Sequence, residues 1–318
     1  MPHTDLPEAD LREYRTSVQA PADLAAFWSQ TLGEARALAV PPVLDPVHTG
    51  LRLVTTQDVT FSGFGGHPIR AWYHRPAGAL SELPTVIVYH GYSGGRPLPH
   101  CVPAWCLAGY AVLDVDTRGQ GGDTADPGGS GPFWPGYLTR GIEDPHSYYY
   151  RRVFTDAVLA VDAARALPGV DPSRIAVTGE SQGGGMTIAV AALAEGITAA
   201  MPDVPFLSDL PRAASIATRT PYSELVKYLS IHRSQVERAF ATLAYFDVAV
   251  LASLATVPAL FSVGLMDQTT PPSTVYAAYN AYAGDKELRT YPFNEHEGGH
   301  SHHEAEQLHW LSAALPLP

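Results

Sequence analysis

The stretch RIAVTGESQGGGMTIAVAAL, residues 174–193, decides how this chain is read. A short apolar run leads to one serine, four glycines crowd around it, and a helix-like segment follows. Glycine weakens strands and helices, so Gly179, Gly183, Gly184 and Gly185 mark a backbone that turns sharply or lets another atom come close. Gly179-Glu180-Ser181-Gln182-Gly183 fits G-x-S-x-G, the nucleophile elbow, in which a serine tops a strained strand-to-helix turn. So loose a pattern recurs by chance, and its meaning depends on the partners the rest of the chain supplies.

Outward from the elbow, TVIVYH (85–90), AVLDVD (111–116), PALFSVG (258–264) and ELRTYPF (287–293) are further short apolar runs separated by helix-length segments. Buried runs alternating with helices predict an α/β fold with a doubly wound, mostly parallel sheet. Before them, LVTTQDVTF and IRAWYH alternate like paired strands around the turn SGFGGHP. Residues 8–39 read as helical, with Leu24, Phe27, Trp28 and Leu32 at helical spacing and a stop at Pro41-Pro42. Residues 119–147, with PGGSGPFWPG, predict a long loop. Residues 205–250 predict helices inserted between two strands, a place where insertions often cover an active-site edge. The expected organisation is one domain over 1–318, with an N-terminal extension (1–50) and that insertion (205–250).

Composition bounds the function. Among 318 residues, 20 are basic and 32 acidic, a net charge of -12 that argues against binding nucleic acid or an anionic membrane. No apolar run is long enough to span a bilayer. The segment MPHTDLPEADLREY lacks the basic and apolar regions of a secretory signal, so a cytoplasmic protein is expected. Cys101 and Cys106, in CVPAWC, fit neither a redox motif nor a disulfide framework and are expected to be ordinary buried thiols.

A serine hydroxyl needs a base to take its proton, and the base needs an acceptor that holds its tautomer. In α/β-hydrolases these partners follow in the order serine, acid, histidine. Asp267 follows the run 258–264, and His296 follows 287–293, which places both at the carboxyl edge where open α/β sheets carry their sites. The backbone N–H of Gln182 and one from the loop HGYSGGR (90–96), assigned to Tyr92, are the expected oxyanion donors. HEGGH (296–300) also fits the zinc pattern H-E-x-x-H, but that chemistry needs both histidines on one helix. Two glycines after a β-like run make a poor helix interior, so His302 and His303 are expected on a solvated loop. Neither metal nor cofactor is expected.

The chain resembles carbohydrate esterase family 7, the acetyl xylan esterase and cephalosporin-C deacetylase group. Its three motifs are present as Arg118-Gly119-Gln120, Gly179 to Gly183, and His296-Glu297. The likeness extends through TRGIEDPHSYYYRRVFTDAVLAV, MPDVPFL, LAYFD, FSVGLMDQTTPPSTVYAAYN and YPFNEHEGG. It implies an α/β-hydrolase fold with Ser181 as nucleophile, Asp267 as acid, His296 as base and the Tyr92 and Gln182 amides as oxyanion hole. It further implies deacetylation of small esters, including acetylated xylo-oligosaccharides and cephalosporin C, by a homo-oligomer, a hexamer whose sites face an internal cavity. Ser93 departs from the family, where asparagine is common. For Arg118 and Gln120, pinning neighbouring loops is the preferred role and substrate contact the other. Glu297 either tunes His296 or binds a nearby amide. A different serine hydrolase, such as a carboxylesterase or peptidase, and a non-catalytic binding protein are the competing readings.

Overall fold

The computed structural model describes residues 3–128, 131 and 133–317. Its centre is a nine-stranded sheet of β1 (Val43–Val47), β2 (Val54–Ser62), β3 (Pro68–Pro76), β4 (Leu83–Tyr89), β5 (Ala111–Val115), β6 (Val170–Glu180), β7 (Ala199–Asp203), β8 (Ala259–Gly264) and β9 (Lys286–Tyr291). The spatial order is β1-β2-β3-β5-β4-β6-β7-β8-β9. The first three strands pair antiparallel up to β5, and every pair from β5 through β9 is parallel. The order reverses around β4, which lies between β5 and β6. Open sheets form their ligand crevice outside the carboxyl ends of the strands at such a point.

Helices cover both faces. They are α1 (Glu8–Glu13), α2 (Leu24–Ala37), α3 (Ala104–Leu107), α4 (Tyr149–Arg165), α5 (Gln182–Leu193), α6 (Leu210–Ile216), α7 (Tyr222–Ile231), α8 (Val236–Leu243), α9 (Val248–Leu251), α10 (Pro272–Ala281) and α11 (His300–Ala314). Successive residues of one strand enter opposite cores. Ile87, Val177 and Phe261 pack with α2, α4 and α5, while Val86, Ala176 and Leu260 pack with Trp105 of α3 and Leu311 of α11. Two-sided burial is why these strands read as continuous apolar runs.

The structure corrects four expectations. The helix expected over 8–39 is two helices, α1 and α2, separated by an extended segment containing Pro21. Two strands went unexpected. β1 contains Pro46, which is tolerated because the strand lies at the sheet edge. β7, with sequence AAMPD, is short and lies between β6 and β8. Cys101 is exposed; only Cys106 is buried, and burial pushes its thiol up to about 12. The fourth concerns the histidines after Gly299. They stand on α11, where His302 is exposed and His303 is buried. The 205–250 insertion consists of α6 to α9 between β7 and β8, as expected. The described part of 119–147 contains neither helix nor strand; Gly129, Ser130 and Pro132 lie outside the described residues. No described helix is long and apolar enough to cross a membrane.

Candidate active site

Ser181 follows the last residue of β6 and precedes the first of α5, at φ 57° and ψ -114°. A non-glycine residue rarely adopts a positive φ, and the strain persists only where the surroundings fix it. Here they do. The Ser181 amide donates to the Asp203 carbonyl at 2.9 Å, while its own carbonyl accepts from Phe206 N and Gly185 N, each at 2.9 Å. The glycines permit that fit. A Cβ on Gly183 would lie 2.2 Å from the Tyr89 carbonyl oxygen, and one on Gly179 2.6 Å from both that oxygen and the Gly183 backbone. The α5 helix can therefore enter against β4 and β6 only with hydrogen at these positions.

The three side chains singled out by order come together. His296 Nε2 lies 2.9 Å from Ser181 Oγ, and His296 Nδ1 lies 2.8 Å from Asp267 Oδ2. Asp267 is buried at 1% exposure on the turn after β8. Its Oδ1 accepts from the amides of Thr269 (2.7 Å) and Thr270 (3.0 Å), and its Oδ2 also accepts from Thr270 Oγ1 at 2.8 Å. The carboxylate is thus fixed before it meets the imidazole. Burial lowers the His296 pKa, but the hydrogen bond to Asp267 and the charges of Asp267, Glu180 and Glu297 raise it further, so the net shift is upward. Both ring nitrogens of His296 are engaged, and His296 lies in the turn before α11 rather than on a helix with His300. That is not the geometry of an H-E-x-x-H zinc helix.

Gln182 is the first residue of α5, where N–H groups have no partner within the helix and the helix dipole is positive. Tyr92 lies on the loop after β4, beside the elbow: Gln182 Nε2 donates to the His90 carbonyl at 3.2 Å. The structure shows how Gln120 holds this loop. Its Oε1 accepts from the Ser93 amide at 2.7 Å, and its Nε2 donates to Tyr149 Oη (2.9 Å) and Gln182 Oε1 (2.8 Å). Ser93 sits at φ 62°, a conformation asparagine tolerates better than serine, so this clamp stabilises a strained turn. Arg118 is buried at 1% exposure, its guanidinium forked onto Asp156 and reaching Asp126, which Arg152 also holds. Both motif residues tie loops together. Glu297 accepts from Asn294 Nδ2 at 2.9 Å and is exposed.

Sequence reasoning missed several supports. Thr270, from QTTPP, orients the acid. Gln307 anchors the end of β7 to α11, its Nε2 donating to both Asp203 carboxylate oxygens, while His303, with Nε2 2.7 Å from Asp203 Oδ1, ties α11 to β9 through Nδ1, 3.0 Å from Tyr291 Oη. Because the Asp203 carbonyl holds the Ser181 amide, α11 braces the elbow. A cavity of about 370 Å³ opens beside the elbow against α11, lined by Glu180, Glu297, His300 and Glu304 among others, while Ser181 and His296 are not among its walls.

A serine on a strained strand-to-helix turn, hydrogen-bonded through histidine to a buried aspartate at the carboxyl edge of this sheet, defines an α/β-hydrolase. The profile of the acetyl xylan esterase (AXE1) family matches residues 1–314, and the chain belongs to that family of carboxylic ester hydrolases. An acetyl xylan esterase from Paenibacillus sp. R4 is 36% identical and superposes with a TM-score of 0.93 over 97% of this chain and 99% of its own. Acetyl xylan esterase 1 from Thermoanaerobacterium sp. JW/SL YS485 is 33% identical, with a TM-score of 0.90 over 95% and 97%. The acetyl esterase Axe7A of Xylanibacter ruminicola is 27% identical over 295 residues, which cover 87% of this chain and 63% of that protein. The chain thus spans less than two thirds of that curated relative.

Proposed function

We propose that the protein is a serine esterase that removes acetyl groups from small esters, acetylated xylo-oligosaccharides and cephalosporin C among them. The observation that carries this reading is the unbroken path from Ser181 Oγ through His296 to Asp267, at 2.9 and 2.8 Å. His296 Nε2 takes the hydroxyl proton as Oγ attacks the acetyl carbonyl, and Asp267 stabilises the imidazolium that forms. The developing oxyanion is met by the amides of Gln182 and Tyr92. The Ser181 amide cannot serve, since it donates to the Asp203 carbonyl. His296 then gives its proton to the leaving alcohol, and water, deprotonated by the same imidazole, releases acetate from the acetyl-serine. No step calls for a metal or cofactor. The family resemblance supports acetyl as the acyl group and a homo-oligomer, a hexamer, as the assembly.

The test is a pair of measurements. Initial rates on p-nitrophenyl acetate and octanoate are expected to favour acetate strongly, and the opposite order would point to a broad carboxylesterase. Acetylated xylo-oligosaccharides and cephalosporin C are expected to release acetate in a Ser181-dependent way, and no release from either would refute the substrate assignment.

A further inference from the structure

We propose that Glu224, on the inserted helix α7, is a positioning residue that fixes the Tyr92 loop and so aims the second oxyanion amide. The inference rests on the reading of Ser181 as nucleophile. Glu224 is buried at 4% exposure, and its Oε2 accepts from Tyr92 Oη at 2.7 Å. The Tyr92 hydroxyl in turn accepts from the Tyr137 amide and, at 3.1 Å, from the Leu138 amide, which also lies 3.3 Å from Glu224 Oε2. One carboxylate therefore joins the loop after β4, the loop before α4 and the insertion. Burial raises the Glu224 pKa, with the Tyr92 hydrogen bond and the two amides opposing that rise.

The ring of Tyr92 is located as tightly as its hydroxyl. It packs edge-on against Tyr137 and Phe206, with centroids 5.3 and 5.8 Å away. Phe206 is backed by Tyr222 of α7 at 4.6 Å, and its amide holds the Ser181 carbonyl. The residues just before α7 reach the other side of the site. Arg219 Nη1 donates to Glu295 Oε2 at 3.1 Å, and Thr218 Oγ1 donates to Gln268 Oε1 at 3.4 Å. Glu295 and Gln268 are the chain neighbours of His296 and Asp267. Residues 218–224 thus touch the oxyanion loop, the base loop and the acid loop, which makes this part of the insertion a brace for the catalytic geometry.

Steady-state kinetics on p-nitrophenyl acetate, with melting temperature measured alongside, test the role. Deleting an oxyanion donor outright costs about 10²- to 10³-fold in kcat. Glu224→Ala leaves the donor present but loosely held, so kcat is expected to fall roughly tenfold with KM changed less than about threefold. Binding of a small alkyl boronic acid, which forms a tetrahedral adduct with the serine, is expected to weaken by a similar factor. Glu224→Gln keeps an acceptor and is expected to recover most of kcat. Tyr92→Phe removes the hydroxyl from the other side, should match the alanine loss, and should not add to it in the double variant. If Glu224→Ala unfolds, the Gln and Tyr92→Phe variants decide. A folded variant with unchanged kcat, a change confined to KM, or additive losses would overturn the proposal while leaving Ser181 untouched. Retention of activity in Ser181→Ala would instead overturn the underlying reading, and this one with it.

Discussion

Replacing Gly183 by alanine is the most exacting probe of the elbow. The added methyl would lie 2.2 Å from the Tyr89 carbonyl oxygen, 2.8 Å from its carbon and 3.3 Å from His90 N. Ordinary contact begins near 3.4 Å, so α5 and the end of β4 must part by about an ångström. These three nearest atoms are all backbone, so the closest contacts cannot be relieved by a side chain swinging aside. Overpacking typically costs 1–3 kcal/mol, and this site belongs near the upper end, at about 3 kcal/mol. For a chain of this size that lowers Tm by on the order of 4–5 °C. The same displacement moves Ser181 and the Gln182 amide away from the Tyr92 loop, and a misplacement of about 1 Å costs roughly 10²-fold in rate. Calorimetry and kcat on p-nitrophenyl acetate read both effects. Gly33→Ala in α2 is the control: a methyl there meets nothing within 4 Å, so a gain of about 0.5–1 kcal/mol and unchanged kcat are expected. Gly183→Ala with kcat within threefold of wild type and an unmoved Tm would refute the argument.

Two further outcomes follow from the same geometry. A base must be neutral to accept a proton, so the upward shift of His296 moves the acid limb of kcat/KM upward from the ordinary imidazole value. Glu180→Gln removes one charge that favours the imidazolium and is expected to move that limb to lower pH; an unmoved limb in the pH–rate profile would contradict the coupling. In stability the sign is opposite: a raised histidine pKa contributes stability that is present at low pH and lost as pH rises through the folded value. Arg118→Ala strands the buried Asp156 carboxylate and is expected to cost about 3–5 kcal/mol in a thermal melt, with KM for acetylated sugars unchanged. A raised KM at unchanged Tm would mean that Arg118 touches substrate.

The parts legible in the sequence were those with a local signature. Ser181 stands among glycines whose missing side chains are each demanded by a backbone atom, and Asp267 and His296 follow apolar runs that are strands β8 and β9. Strand β7 escaped because AAMPD is short, starts with two alanines and contains Pro202, yet its place between β6 and β8 buries it. The N-terminal break is hard to read because helix-compatible sequence on both sides of Pro21 looks like one continuous helix. His303 reads as a loop residue because Gly298-Gly299 makes a poor helix interior, whereas Gly299, at φ 99°, is the residue from which α11 starts. Glu224 was invisible for a different reason. Nothing in YSELVKYL distinguishes it, and its partner Tyr92 lies far away in the chain, joined only by folding.

Labelling with a serine-directed fluorophosphonate, followed by intact-mass and peptide analysis, tests the central claim most directly. One adduct per chain is expected, on the peptide containing Ser181. That adduct is absent in Ser181→Ala, which also loses on the order of 10⁴-fold or more of its acetate-ester hydrolysis. An adduct on any other residue, or wild-type hydrolysis by Ser181→Ala, would contradict it.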